Sequence, residues 1–241
     1  MCKGQTVLFL HDAGANGNSF SAVMDELADS HAPISLDFPG HGRSGSLDSL
    51  SSITAFAEHA EALMLSWEVP PLVIVGEGLG AAVGLEIAQR GHLEISCLIC
   101  IGAVGVTVDL ANEITELESI TAGKARRNFN TSGYAPDPDE SVLREAFAQW
   151  VKTDPRATLG ARRAQHAWNE SVDLKGLSTP TVVVVGEHAD PSSVAASDSL
   201  AQTLSNSTVE VLTGAGSHGP IEQPEAFATI ISRSAEEMAR S

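Results

Sequence analysis

The chain has 241 residues, 43% of them hydrophobic, and carries 31 acidic against 14 basic side chains, a formal charge of −17. That size suits one sizeable α/β domain with room for an inserted segment, rather than two domains. The charge argues against nucleic acid and anionic membrane surfaces, which need a net basic face, and no apolar run reaches the roughly 20 residues that span a bilayer.

In chain order, the start MCKGQTVLFL has one Lys and runs directly into a strand, which does not read as a signal peptide. The strand QTVLFLH is followed by HDAGANG and a helical stripe of Phe20, Val23, Met24 and Leu27. APISLDF gives a second strand, DFPGHGRSG a glycine-rich turn, and Ile53, Phe56, Ala57, Ala60 and Met64 a second apolar stripe. PLVIVG then runs into GEGLGAA and a small-residue helix, and ISCLICIGAV forms the fourth strand. TVVVVGE and TVEVLT close the series. Nearly continuous apolar runs suit strands covered on both faces, so the alternation predicts a mostly parallel, six-stranded, doubly wound sheet with right-handed crossovers.

The alternation breaks once. Residues 104–173 read as polar helices (LANEITELESITAG, ESVLREAFAQWVKT, RATLGARRAQHAW) joined by the turn-rich NTSGYAPDPDE. This segment is expected to form a helical cap over the strand ends, inserted into a core of residues 1–103 and 174–241.

Cys2, Cys97 and Cys100 are too few and too unevenly placed for a disulfide framework, which points to a reducing, cytoplasmic setting. Cys97 and Cys100 lie three apart in a strand and so point to opposite faces, which speaks against a redox or metal pair. The eight histidines show no metal spacing, and the glycines of GEGLGAA fall as G-x-G-x-G rather than as a dinucleotide fingerprint. No metal or cofactor is expected.

Ligands of open α/β sheets bind at the carboxyl ends of the strands, which brings four loops forward: HDAGANG, DFPGHGRSG, GEGLGAA and GAGSHGPIEQPEAF. In type, order and approximate spacing these resemble the α/β-hydrolase fold, in the branch of esterases, lactonases, thioesterases and C–C bond hydrolases. The likeness covers nearly the whole chain outside the insertion. It lacks the leading antiparallel strands of many relatives, so about six strands should remain.

The resemblance implies a nucleophile–acid–histidine order. The histidine falls on His218 and the acid on Asp190, each just past a strand. The nucleophile position falls on Gly78, which has no side chain to attack with. The implied oxyanion-hole donors are the backbone N–H groups of Ala13 and Leu79. Where relatives have His-Gly after the first strand, this chain has His11-Asp12. An ionised Asp12 facing the site would oppose a developing oxyanion, so it turns away, is protonated, or serves another reaction; a local turn or cap role stays open. Glu77 and Ser217 are neighbours to weigh as substitutes for the absent nucleophile.

Eight of the 14 Lys and Arg lie in the insertion: Lys124, Arg126, Arg127, Arg144, Lys152, Arg156, Arg162 and Arg163. A basic lid would favour a small anionic substrate, with charge balance on helix faces as the plainer alternative. Trp150, Trp168 and Phe129, with Arg127, are candidates to line a pocket beneath it or to fix it to the body. Three functional readings follow. The first is an enzyme acting on an activated carbonyl compound (thioester, lactone or diketone) by His-Asp general-base catalysis. The second is a non-catalytic relative that binds a ligand or partner. The third is a serine esterase with an engineered Ser-to-Gly change at position 78.

Overall fold

A computed structural model describes residues 4–46, 48–69, 72–102, 104–105 and 107–238; Cys2 lies outside them. Six parallel strands form one sheet in the order β2-β1-β3-β4-β5-β6. In sequence they are β1 (Thr6–Leu10), β2 (Ala32–Leu36), β3 (Leu72–Glu77), β4 (Ile95–Ile101), β5 (Thr181–Gly186) and β6 (Ser207–Leu212). β1, β3 and β5 are buried along their whole length, as their unbroken apolar runs require.

Alternate strand residues feed two apolar layers. Leu8, Leu10, Ile74, Leu98, Cys100 and Val183 face one side with α2 (Ile53–Ser66) and α3 (Leu79–Arg90). Val7, Phe9, Val73, Val75, Cys97 and Ile99 face the other with α1 (Ser21–Leu27) and α9 (Pro224–Met238). Each large side chain fully buried in this way contributes about 1.5–3 kcal/mol. Cys97 and Cys100 thus occupy opposite layers as free thiols, and burial pushes both up to about 12.

Between β4 and β5 lie α4 (Ala111–Thr121), α5 (Glu140–Lys152) and α6 (Pro155–Asn169). α6 joins this segment to the body. Its Ala161, Ala164 and Trp168 enter the first apolar layer, and Trp168 Nε1 donates to Glu86 on α3. Beyond β5 come α7 (Pro191–Thr203) and, after β6, the short α8 (Gly219–Glu222). The strand order reverses at β1, between β2 and β3, and the crevice at the carboxyl ends of β1 and β3 is where such sheets bind ligands.

Candidate active site

The β3–α3 turn is built on Gly78, held at φ +51° and ψ −107°, where side chains other than glycine's are strained. Its N–H donates to the Ile101 carbonyl, fixing the turn over the end of β4. A Cβ placed on Gly78 would lie 2.2 Å from Asp12 Oδ1. The place a nucleophile's side chain would take is therefore filled by the carboxylate of Asp12, arriving from the loop after β1.

That carboxylate is thoroughly engaged. Arg162, from α6, grips it with two parallel bonds of 2.7 Å, and the Leu79 N–H donates to Oδ1 at 2.8 Å. Burial works against the charge, but Arg162 together with the N–H groups of Leu79 and Ala13 outweighs it and holds the carboxyl below its ordinary range. Of the outcomes the sequence left for Asp12, turning away and protonation are both set aside. Of the two donors expected to hold an oxyanion, the Leu79 N–H is bonded to the chain's own carboxylate.

Arg162 is shared. Its Nε donates to Glu113 of α4 at 2.8 Å and its NH1 to Gln165 at 2.9 Å, and it is 13% exposed. His11, just before Asp12, is buried with its Nδ1 on the Asp12 carbonyl and its Nε2 accepting from Phe38 N–H, which makes it the Nδ1–H tautomer. Burial, then the neighbouring His41, depress it to about 4, so it stays neutral and serves to anchor the loop.

On the other side stands His218, in the loop after β6. Its Nδ1 lies 3.6 Å from Glu77 Oε1, and its ring packs on Tyr134 with centroids 4.5 Å apart. Glu222 ties the loop down by accepting from the N–H groups of Gly216, His218 and Ala135, the last from the inserted segment. Burial lowers the imidazole's affinity for a proton, but Glu77, aided by Asp12 and Glu222, more than reverses this and raises it above 6.5. Tyr134 is pushed up by burial and by the charges of Glu77 and Glu222, so its hydroxyl stays protonated.

Several expectations need correcting. Asp190, expected to orient His218, caps α7: its oxygens accept from the backbone of Ser192 and Ser193 and from the hydroxyls of Ser192, Ser193 and, at 3.4 Å, Ser217. It lies beside the histidine loop with its lone pairs committed elsewhere, while the carboxylate on Nδ1 is that of Glu77, at the end of β3. Trp168 does not line the site, because its ring is packed between α6 and the body. Arg127 donates to the Thr153 carbonyl and sits 4.2 Å over the Trp150 ring, behind the wall rather than within it. Arg144, Arg156 and Arg163 pair with Glu140, Asp154 and Glu118 on the surface. Of the eight cations in the insertion, only Arg162 faces the site, already held by two carboxylates, which removes the ground for an anionic substrate.

Asp12, Glu77, Arg162 and His218 open onto a chamber of about 310 Å³, walled by Phe129, Tyr134 and Trp150 and closed below by Pro220 and Ile221. A recess of about 160 Å³ over Gly78 shares the same four polar residues. Sequence reasoning missed Tyr134, Glu113 and Glu222 and did not separate Arg162 from its neighbours. The one signal was the Pro-Ile-Glu after the histidine, which places a carboxylate four residues along, back over the loop. The arrangement can move a proton at His218 and donate a hydrogen bond from Tyr134, but it has no free nucleophile at the elbow.

Among curated proteins, the chain is 30% identical over 121 residues to an uncharacterised protein of Mycobacterium bovis, which covers 50% of this chain and 35% of that one. It is 33% identical over 109 residues to protein phosphatase methylesterase 1 of Gibberella zeae, covering 40% and 27%. The chain thus spans about a third of the length of these relatives. Among solved structures, an esterase of Thermogutta terrifontis superposes with TM-score 0.84 at 20% identity, covering 99% of this chain and 92% of that one. MenH of S. aureus gives 0.81 at 19%, covering 99% and 96%, and the enol-lactonase of Burkholderia xenovorans 0.81 at 17%, covering 97% and 92%. With residues 7–230 matching the family's sequence pattern and the sheet, elbow and histidine loop in place, the chain belongs to the alpha/beta hydrolase family.

Proposed function

We propose that the protein processes a small activated carbonyl compound, of thioester, lactone or diketone type, by proton transfer through His218 and without a covalent intermediate. The observation that carries the reading is the His218–Glu77 pair facing the chamber while Asp12 fills the nucleophile's place. With the Leu79 donor committed to Asp12 and that carboxylate filling the space beside Gly78, a tetrahedral oxyanion at the elbow loses one of its two expected donors and meets a negative charge. Steps that suit the remaining groups are removal of an acidic proton next to the carbonyl by His218 Nε2 and hydrogen-bond donation to the carbonyl oxygen by Tyr134. Positioned proton transfer of this kind supplies a rate factor of about 10² to 10⁴. Unactivated esters should stay inert. Buried free thiols fit the cytoplasmic setting that goes with this reading, and among the described residues no helix is long and apolar enough to cross a membrane.

Two variants test it. His218→Ala should abolish turnover of the responsive members of a thioester, lactone and diketone panel, and Tyr134→Phe should lower it roughly tenfold or more. Unchanged turnover in His218→Ala would overturn the reading. A non-catalytic, ligand-binding relative is the second reading, favoured by the pairing of Asp12 with Arg162; an inert wild type that still binds ligand would select it. The close fit of the Asp12 carboxylate against Gly78 argues against a serine altered by engineering.

A further inference from the structure

The chamber's charges and rings together specify what it accepts. Glu77 is 8% exposed, yet among the described residues its carboxylate has one partner, His218 Nδ1, at a distance longer than a hydrogen bond. A carboxylate so buried and so loosely held, on the wall of a cavity, is short of partners. Beside it stand Asp12 and Glu113 against the single guanidinium of Arg162, so the polar wall carries more negative than positive charge. The same chamber is lined by three aromatic rings, Phe129, Tyr134 and Trp150. Phe129 lies 6.4 Å from Tyr134 and 5.6 Å from Trp150, centroid to centroid, and the outer face of Trp150 already supports a cation in Arg127. Aromatic rings and carboxylates lining one cavity attract organic cations and repel carboxylates.

We infer that the chamber takes a small organic cation of alkylammonium type, its charged head between Glu77 and the Phe129–Tyr134–Trp150 wall. This deepens the proposed function by naming the substrate class, and rests on that reading only where turnover is concerned. The raised proton affinity of His218, where Glu77 outweighs burial, agrees with a negative local potential.

Titration calorimetry at fixed ionic strength tests the inference with three small probes: choline, its uncharged isostere 3,3-dimethylbutan-1-ol, and the anion propionate. Choline should bind about tenfold or more tightly than the alcohol, and propionate should not bind. Trp150→Leu and Glu77→Gln should each weaken choline about tenfold, with Glu113→Gln as a second charge variant should Glu77→Gln not fold. Equal affinity for choline and the alcohol, no saturable choline binding, or choline binding untouched by Trp150→Leu would each overturn it. His218→Ala separates the two claims. Choline binding retained while turnover persists sinks the proton-transfer reading alone; turnover lost in a protein whose wild type never bound choline sinks the cation site alone.

Discussion

The two sides of the chamber differ in how completely their charges are satisfied. At the elbow, both oxygens of Asp12 are bonded, Arg162 is held by two carboxylates, and the Leu79 N–H is taken. At the histidine loop, one imidazole faces one carboxylate at 3.6 Å, with the Tyr134 ring packed beside it. A committed cluster fixes geometry and resists change of protonation. A loosely paired one titrates. In the proposed reading the elbow, the usual place of chemistry in this fold, is structural, and reactivity is left to the opposite side.

The largest test of that contrast is Arg162→Met. Removing the guanidinium leaves the half-buried Asp12 carboxylate with the Leu79 N–H donating to it, at a cost of about 3 kcal/mol. Urea denaturation should show a large fall in midpoint at neutral pH and a smaller one under acid, where Asp12 takes up a proton. Asp12→Asn in the same chain should restore most of the loss. Stability within about 1 kcal/mol of wild type would mean the elbow is not locked.

Gly78→Ser comes next. The new Cβ collides with Asp12 Oδ1, and a serine at φ +51° is strained, together about 1–3 kcal/mol. Serine alone should therefore give a less stable protein that does not hydrolyse a nitrophenyl ester. Adding Asp12→Ala opens the space and frees the Leu79 N–H, so the double variant should recover stability and show ester hydrolysis above wild type. A single variant as stable as wild type would show that Asp12 does not hold that space.

The sheet was legible because its signal is local: unbroken apolar runs at β1, β3 and β5 and glycines at each strand end suffice. The vacancy at Gly78 was equally plain. What filled it was not, because Asp12 and Arg162 are 150 residues apart and their pairing depends on where α6 crosses the loops. Tyr134 and Glu222 were hidden for the same reason, one in a turn-rich linker and one on a four-residue helix. Asp190 is a different case. Asp-Pro-Ser-Ser is a helix start with proline at the first position and aspartate as cap, and that local chemistry prevailed over the role implied by family order.

The smallest effects decide which carboxylate serves the histidine. If Glu77 raises His218 above 6.5, then His218 acting as a base gives turnover that rises with pH through a midpoint above that value, and Glu77→Gln moves the midpoint down, since burial is then opposed only by Asp12 and Glu222. The stability linkage runs the other way: the contribution from charged His218 is present below 6.5 and lost as pH rises through the higher folded value, and Glu77→Gln removes it. Asp190→Ala should instead cost about 1 kcal/mol through the lost cap of α7 and leave the midpoint of the pH profile in place. A midpoint that follows Asp190 rather than Glu77 would reverse the comparison, making the histidine loop the conventional half and the Glu77 contact incidental.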